Sequence, residues 1–244
     1  MQTLLEIHSL TKRFGGLTAV NELSFSLEQG EVTALLGPNG SGKTTALNMI
    51  SGFLPASAGS VFLGGKRLTG QPAHRISHAG VARTFQLVRV LPSLNVKDNI
   101  LAAVLFRKDP PGRQHAEQEV DRLLEEVGLA GRAGESAGDL TYIDQKRMEL
   151  ARALATQPNL LLLDEWLAGL NPSELAIGIE LISSINAKGI TILLVEHVMD
   201  AVRALCPRAV VMNAGRKIAD GATADVLNDP EVIRAYLGDT HAVA

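Results

Sequence analysis

The chain has 244 residues, 46% of them hydrophobic and 20% charged, which is enough apolar material to bury a full core. A formal net charge of -3 leaves no excess for neutralising phosphates and excludes a strongly basic nucleic-acid protein. Cys206 is the only cysteine, so neither an intrachain disulfide nor a cysteine-rich metal centre is available.

Met1 to Leu10 include Glu6 and His8 and lack the basic start and long apolar run of a secretion signal, so a cytoplasmic protein is expected. Residues 4–10 and 19–27 alternate apolar and polar positions, which predicts half-exposed antiparallel strands. Glu28-Gln29-Gly30 closes the second as a turn. Residues 31–36 read as a buried strand and 44–50 as a helix. His74 and His78 are spaced i, i+4 but have no evident third ligand, so a solvated helix face is expected there rather than zinc.

Residues 92–156 change character. Helical spacing dominates at 95–107, 114–127 and 144–155, and Asp109-Pro110-Pro111-Gly112 forces a break between the first two helices. Beyond them come two buried strands, 159–163 and 191–195. Their apolar runs end at Asp164 and Glu196, short of the roughly 20 residues that cross a bilayer. Apolar strands alternating with helices predict an α/β fold with a mostly parallel sheet.

Gly37-Pro38-Asn39-Gly40-Ser41-Gly42-Lys43-Thr44 fits the phosphate-binding P-loop pattern, and it lies between a predicted strand and a predicted helix. Glycines let backbone N–H groups turn toward phosphates, the helix directs its positive end at them, and Lys43 adds a cation. Thr44 offers a hydroxyl to Mg²⁺. A guanine-selecting Asn-Lys-x-Asp motif does not occur, so the expected nucleotide is ATP, held by Asn39, Gly40, Ser41, Gly42, Lys43, Thr44 and Thr45.

The strand at 159–163 delivers Asp164 and Glu165 to its carboxyl end, where ligands collect in open α/β sheets. Asp164 is expected to hold Mg²⁺. Glu165, taken to sit on the opposite pleat, is expected to act as general base on an attacking water. His197 follows the other buried strand and is expected to reach the γ-phosphate and that water.

The order of these features resembles the ABC ATPases across essentially the whole chain: the P-loop, Gln86 in Arg83-Thr84-Phe85-Gln86, Leu140-Thr141-Tyr142-Ile143-Asp144-Gln145, Asp164-Glu165 and His197. The resemblance implies one ABC ATPase domain over 1–244, built as a P-loop core with an N-terminal antiparallel β subdomain and an inserted helical subdomain at 92–156. It also implies that Gln86 touches Mg²⁺ and relays to a membrane subunit, and that Phe14 stacks on adenine near Val20. Thr141, Tyr142, Ile143 and Asp144 would form the signature that caps the ATP of a second subunit in a head-to-tail dimer.

More narrowly, Phe14-Gly15-Gly16-Leu17-Thr18-Ala19-Val20, Gly80 to Gln86, Leu167-Ala168-Gly169-Leu170-Asn171-Pro172 and the tail Ala235-Tyr236-Leu237-Gly238 resemble the branched-chain amino acid importer ATPases. Arg83 to Gln86 resemble one of the two paired ATPase subunits of that group, which implies a heterodimer. The implied partners are transmembrane permeases, through which the chain would sit on the cytoplasmic face of the inner membrane, and, indirectly, a secreted solute-binding protein. A lipopolysaccharide-type exporter ATPase, a non-transport ABC ATPase and a non-hydrolysing regulatory module are the alternatives.

Three positions depart from the family pattern. Thr141-Tyr142-Ile143-Asp144 stand for the usual Ser-Gly-Gly-Gln, Trp166 stands for a proline, and Asn171 stands for an aspartate. Ile143 is expected to resist the backbone angles a glycine allows and so to weaken the cap. Trp166 is expected to pack or to contact another subunit.

Overall fold

The computed structural model describes residues 2–237. The chain begins with two long strands, β1 (Thr3–Phe14) and β2 (Leu17–Glu28), then β3 (Val32–Leu36), and reaches helix α1 (Lys43–Ile50) through the phosphate loop. Strands β4 (Ala58–Leu63) and β5 (Lys66–Arg67), helix α2 (Ala73–His78) and strand β6 (Val81–Arg83) follow. Three helices come next: α3 (Val96–Phe106), α4 (Arg113–Glu126) and, after a short 3-10 turn at Ala137–Asp139, α5 (Tyr142–Leu154). The remainder is β7 (Leu160–Asp164), α6 (Pro172–Ala187), β8 (Thr191–Val195), α7 (Met199–Leu205), β9 (Arg208–Asn213), β10 (Arg216–Ala222), α8 (Thr223–Leu227) and α9 (Pro230–Leu237).

The strands form two sheets. A six-stranded sheet has the order β10-β9-β3-β8-β7-β6, parallel except at its β10 edge. An antiparallel sheet has the order β2-β1-β4-β5. Every residue of β3, β7 and β8 is buried, as expected for central strands covered on both faces. Their alternate side chains feed two cores. Ala34, Leu36, Leu161, Leu163, Ile192 and Leu194 pack toward α3–α7, while Leu35, Leu160, Leu162, Leu193 and Val195 pack toward α1 and the antiparallel sheet.

The α/β class with an added antiparallel sheet matches the sequence expectation. Strands β4, β6, β9 and β10 had no specific prediction. Helices α3, α4 and α5 pack on one another, and the only strand-like contact between them among the described residues is an isolated bridge from Asn95 to Ser136. Asn95 caps α3 by accepting from the Asp98 amide at 2.7 Å. Gly238 of the tail motif lies outside the described residues.

Candidate functional site

The phosphate loop is shaped by close approach. Gly37 has φ 143° and Gly42 φ 104°. A Cβ on Gly37 would strike the Met212 carbonyl oxygen, and one on Gly42 would lie 2.5 Å from the Ala19 carbonyl oxygen. Lys43 is buried, and its Nζ donates to the carbonyls of Gly37 at 2.7 Å and Pro38 at 3.1 Å. Burial lowers its pKa, while Glu165 and Asp164 act the other way. Asn39, Gly40, Gly42, Lys43, Thr44 and Thr45 share with Gln86 and Glu165 a cavity of about 260 Å³. Ser41 lies beneath the loop, with its buried Oγ making no hydrogen bond.

Glu165 does not continue the pleat of β7. The strand ends at Asp164, and Glu165 turns off it with φ 51°, its amide donating to the Val195 carbonyl at 2.8 Å. This left-handed turn, rather than strand alternation, aims the carboxylate. Gln86 Nε2 donates to Glu165 Oε2 at 2.8 Å, and His197 Nε2 lies 2.9 Å from Glu165 Oε1. The structure therefore brings Gln86, Glu165 and His197 together, with Gln86 and His197 engaging the glutamate directly.

Asp164 is tied to Arg83, whose Nη2 lies 2.7 Å from Oδ2, with both side chains buried. The same guanidinium donates to Asn48 Oδ1 at 2.6 Å and Ser51 Oγ at 3.1 Å. Burial pushes the Asp164 carboxyl up, and Arg83 offsets part of that rise. Its second oxygen, Oδ1, is buried without a partner. That orphaned carboxylate oxygen suits a hard cation that takes one carboxylate together with phosphate oxygens and water, and the exposed Thr44 and Gln86 line the loop cavity.

Other expected site residues lie elsewhere. Phe14 is 47% exposed at the end of β1 beside Lys12 Nζ, 5.1 Å from its ring, and does not line the loop cavity. Val20 is fully buried, with Cγ2 3.2 Å from where a Gly42 Cβ would stand, so it supports the loop from below instead of offering a surface to adenine. The signature forms the first turn of α5: Thr141 is its N-cap, and Tyr142, Ile143 and Asp144 are helical. Ile143 has no positive φ among the described residues, so the expected backbone obstruction is absent. Asp144 stands where the family pattern has glutamine. Its carboxylate takes the Thr141 hydroxyl at 2.6 Å and pairs with Arg132 at 2.5 Å and Arg147 at 3.2 Å.

Several participants were not predicted. Lys146 is 1% exposed and donates from Nζ to the carbonyls of Trp166 at 2.9 Å and Ala168 at 2.8 Å, while Trp166 Nε1 donates back to the Lys146 carbonyl at 3.2 Å. Trp166 thus packs internally and locks α5 to the segment after Glu165. Gly178 of α6 makes room for it, since a Cβ there would sit 3.3 Å from Trp166 Cζ3. Glu196 is fully buried, accepts from the Leu167 amide at 2.6 Å, and is pushed by burial to a pKa of about 7. Glu149 accepts from the Phe85 and Arg89 amides at 3.3 and 3.0 Å, holding the segment that carries Gln86. A charged residue on an otherwise apolar helix face was the available signal for Lys146 and Glu149. Asn171 is a helix cap, in a reciprocal capping box with Glu174 at 3.0 Å in both directions.

Residues 20–168 match the profile of the ABC transporter family. The chain belongs to that family. As an ABC ATPase it binds ATP and hydrolyses it. Residues 216–242 match a second profile, described as branched-chain amino acid ATP-binding cassette transporter. The chain is 42% identical to the high-affinity branched-chain amino acid transport ATP-binding protein LivG of Escherichia coli K12, covering 98% of this chain and 99% of that protein. It is 39% identical to BraF of Pseudomonas aeruginosa, a protein of the same description, over 97% and 98% of the two chains. Among solved structures it resembles an ATP-binding cassette of an ABC transporter in its ADP conformation, with a TM-score of 0.88, 32% identity, and coverage of 98% and 100%. No described helix of this ABC ATPase is long and apolar enough to cross a membrane.

Proposed function

We propose that this ABC ATPase is the motor subunit of an importer for branched-chain amino acids or related small polar solutes. The observation that carries the chemistry is the placement of Glu165 on the cavity of the phosphate loop, with its oxygens engaged by Gln86 and His197. The full-length similarity to LivG and BraF carries the cargo.

In this reading Asn39 to Thr45 cradle the ATP phosphates, and Lys43 leaves the Gly37 and Pro38 carbonyls to meet them. Mg²⁺, held by Asp164 Oδ1, Thr44 and Gln86, would neutralise phosphate charge. Glu165 accepts the proton of the attacking water as a general base. His197 holds Oε1 and so fixes which carboxylate lone pair faces the water. Phe14 provides the exposed ring for adenine, and Val20 acts only by supporting the loop.

Subunits of this kind work with membrane permeases. Beside Gln86 lies a groove of about 390 Å³ bordered by Phe53, Phe85, Arg89, Glu149 and Arg152. Phe53 and Phe85 meet edge to face at 5.1 Å, and Arg89 stacks 4.1 Å from the Phe85 ring centroid. This aromatic and charged groove suits a cytoplasmic segment of a permease, and in this reading the chain sits on the cytoplasmic face of the inner membrane. The chain reads as one domain, 1–244, with a helical subdomain at 92–156. Its signature, Thr141 to Asp144, would cap the ATP of a different ATPase subunit in a heterodimer, with a secreted binding protein supplying the solute.

The test is uptake of labelled leucine into proteoliposomes holding the permeases, both ATPase subunits and the binding protein. ATP-dependent accumulation supports the reading. ATP hydrolysis without accumulation of leucine, isoleucine or valine contradicts the cargo.

A further inference from the structure

Gly37 is the first residue beyond β3, whose last ladder partner is Val211 across from Leu36. Its peptide is held from several sides. A Cβ would collide with the Met212 carbonyl, the Gly37 carbonyl accepts from Lys43 Nζ at 2.7 Å, and the Gly37 amide donates to the Tyr236 hydroxyl at 2.7 Å. Tyr236 lies on α9, 199 residues away in sequence, and burial raises the pKa of its phenol. The turn between β9 and β10 holds the same loop, through the Gly215 amide to the Ser41 carbonyl at 2.9 Å.

We infer that Tyr236 is a positioning residue for nucleotide binding: its hydroxyl fixes the Leu36–Gly37 peptide and thereby the entry of the phosphate loop. The bond fills a need that the sheet leaves open. Beyond the end of β3 the Gly37 amide has left the ladder, and a buried amide without an acceptor costs free energy. Glycine at φ 143° imposes little torsional preference of its own, so an external acceptor must choose the peptide orientation. The choice matters because Gly37 is the residue through which the chain leaves β3 and enters the phosphate loop. Without the hydroxyl the loop entry samples further orientations, and the fraction of molecules competent to bind nucleotide falls. The C-terminal helix is in this way part of the nucleotide site without touching nucleotide. The inference rests on the loop being that site, which ADP binding by the parent chain tests separately.

Tyr236→Phe removes the hydroxyl and keeps the ring. Calorimetry with ADP should show about fivefold weaker binding, the equivalent of one net hydrogen bond of about 1 kcal/mol. Hydrogen exchange should show loss of protection at the Gly37 amide, with the rest of β3 unchanged. Tyr236→Ala should weaken ADP to the same degree as Tyr236→Phe. A lower unfolding midpoint with ADP affinity equal to the parent would mean that the hydroxyl is only structural, and would overturn the inference. So would weakened ADP binding in Tyr236→Ala alone, because packing of the ring would then be the operative contact.

Discussion

Gln86 Nε2 donates to Glu165 Oε2 across 2.8 Å, joining the segment after β6 to the residue after β7. The two side chains meet because β6 and β7 are parallel neighbours, with Arg83 in register with Leu162. Glu149 and its bonds to the Phe85 and Arg89 amides hold the Gln86 segment in place. Gln86→Ala should therefore lower turnover by about tenfold, within the range for loss of a group that aligns a general base. ATP affinity should change by less. Weaker ATP affinity with turnover unchanged would show that Gln86 acts through binding alone.

The Arg83–Asp164 pair is buried on both sides. Removing one partner of such a pair leaves an uncompensated charge, which costs about 3–5 kcal/mol. Arg83→Met should destabilise the chain by that amount in urea unfolding, with the slope of the transition unchanged. A loss below about 1 kcal/mol would place the pair with ordinary surface salt bridges.

Asp144 puts a carboxylate, engaged by Thr141, Arg132 and Arg147, at the helix start proposed to cap a partner's ATP. A second negative group beside phosphate is unfavourable, so the two sites of the proposed heterodimer should be unequal. Glu165→Gln in this chain should cost more activity than the equivalent change in the partner. In that Glu165→Gln background, Asp144→Gln should raise the remaining hydrolysis by removing the negative charge from the cap. Unchanged or lower hydrolysis would contradict this role for Asp144.

Glu196 is buried with its pKa raised to about 7 from 4.5, first by burial and then by Glu165, while the Leu167 and His197 amides and Lys146 oppose the shift. Cys206 also faces this carboxyl electrostatically, and burial together with Glu196 pushes its thiol up to about 12. A carboxyl whose folded pKa is raised keeps its proton while the unfolded chain has lost it. Its stabilising contribution is therefore complete below pH 4.5 and is lost as pH rises through 7, with a slope approaching about 1.4 kcal/mol per unit. Glu196→Gln should lack this slope, so the difference between the stability curves of parent and variant should change with pH from 4.5 to 7. Parallel curves from pH 4.5 to 7 would contradict the shift.

The phosphate loop, Asp164, Glu165 and His197 were legible because each lies at or just beyond the end of a short, buried, mostly apolar strand, and strand ends gather at one sheet edge. The helices at α3, α4 and α5 were found within one or two residues, since caps such as Asn95 and the break at Asp109 to Gly112 are local signals. What was not legible depends on contacts between distant segments. The turn of Glu165 off its strand, the Arg83–Asp164 pair and the Lys146–Trp166 exchange have no periodicity to betray them. Ile143 misled because a residue type was read without its helix: as the second helical residue of α5 it keeps ordinary angles, and the neighbouring Asp144 carries the real change.

Glu165 as the general base is the claim on which the rest depends, and paired measurement of ATP binding and ATP hydrolysis for Glu165→Gln in the assembled transporter tests it most directly. The account predicts ATP affinity within about threefold of the parent and turnover lower by about 10² to 10⁴. Turnover equal to that of the parent, with ATP still bound, would contradict it.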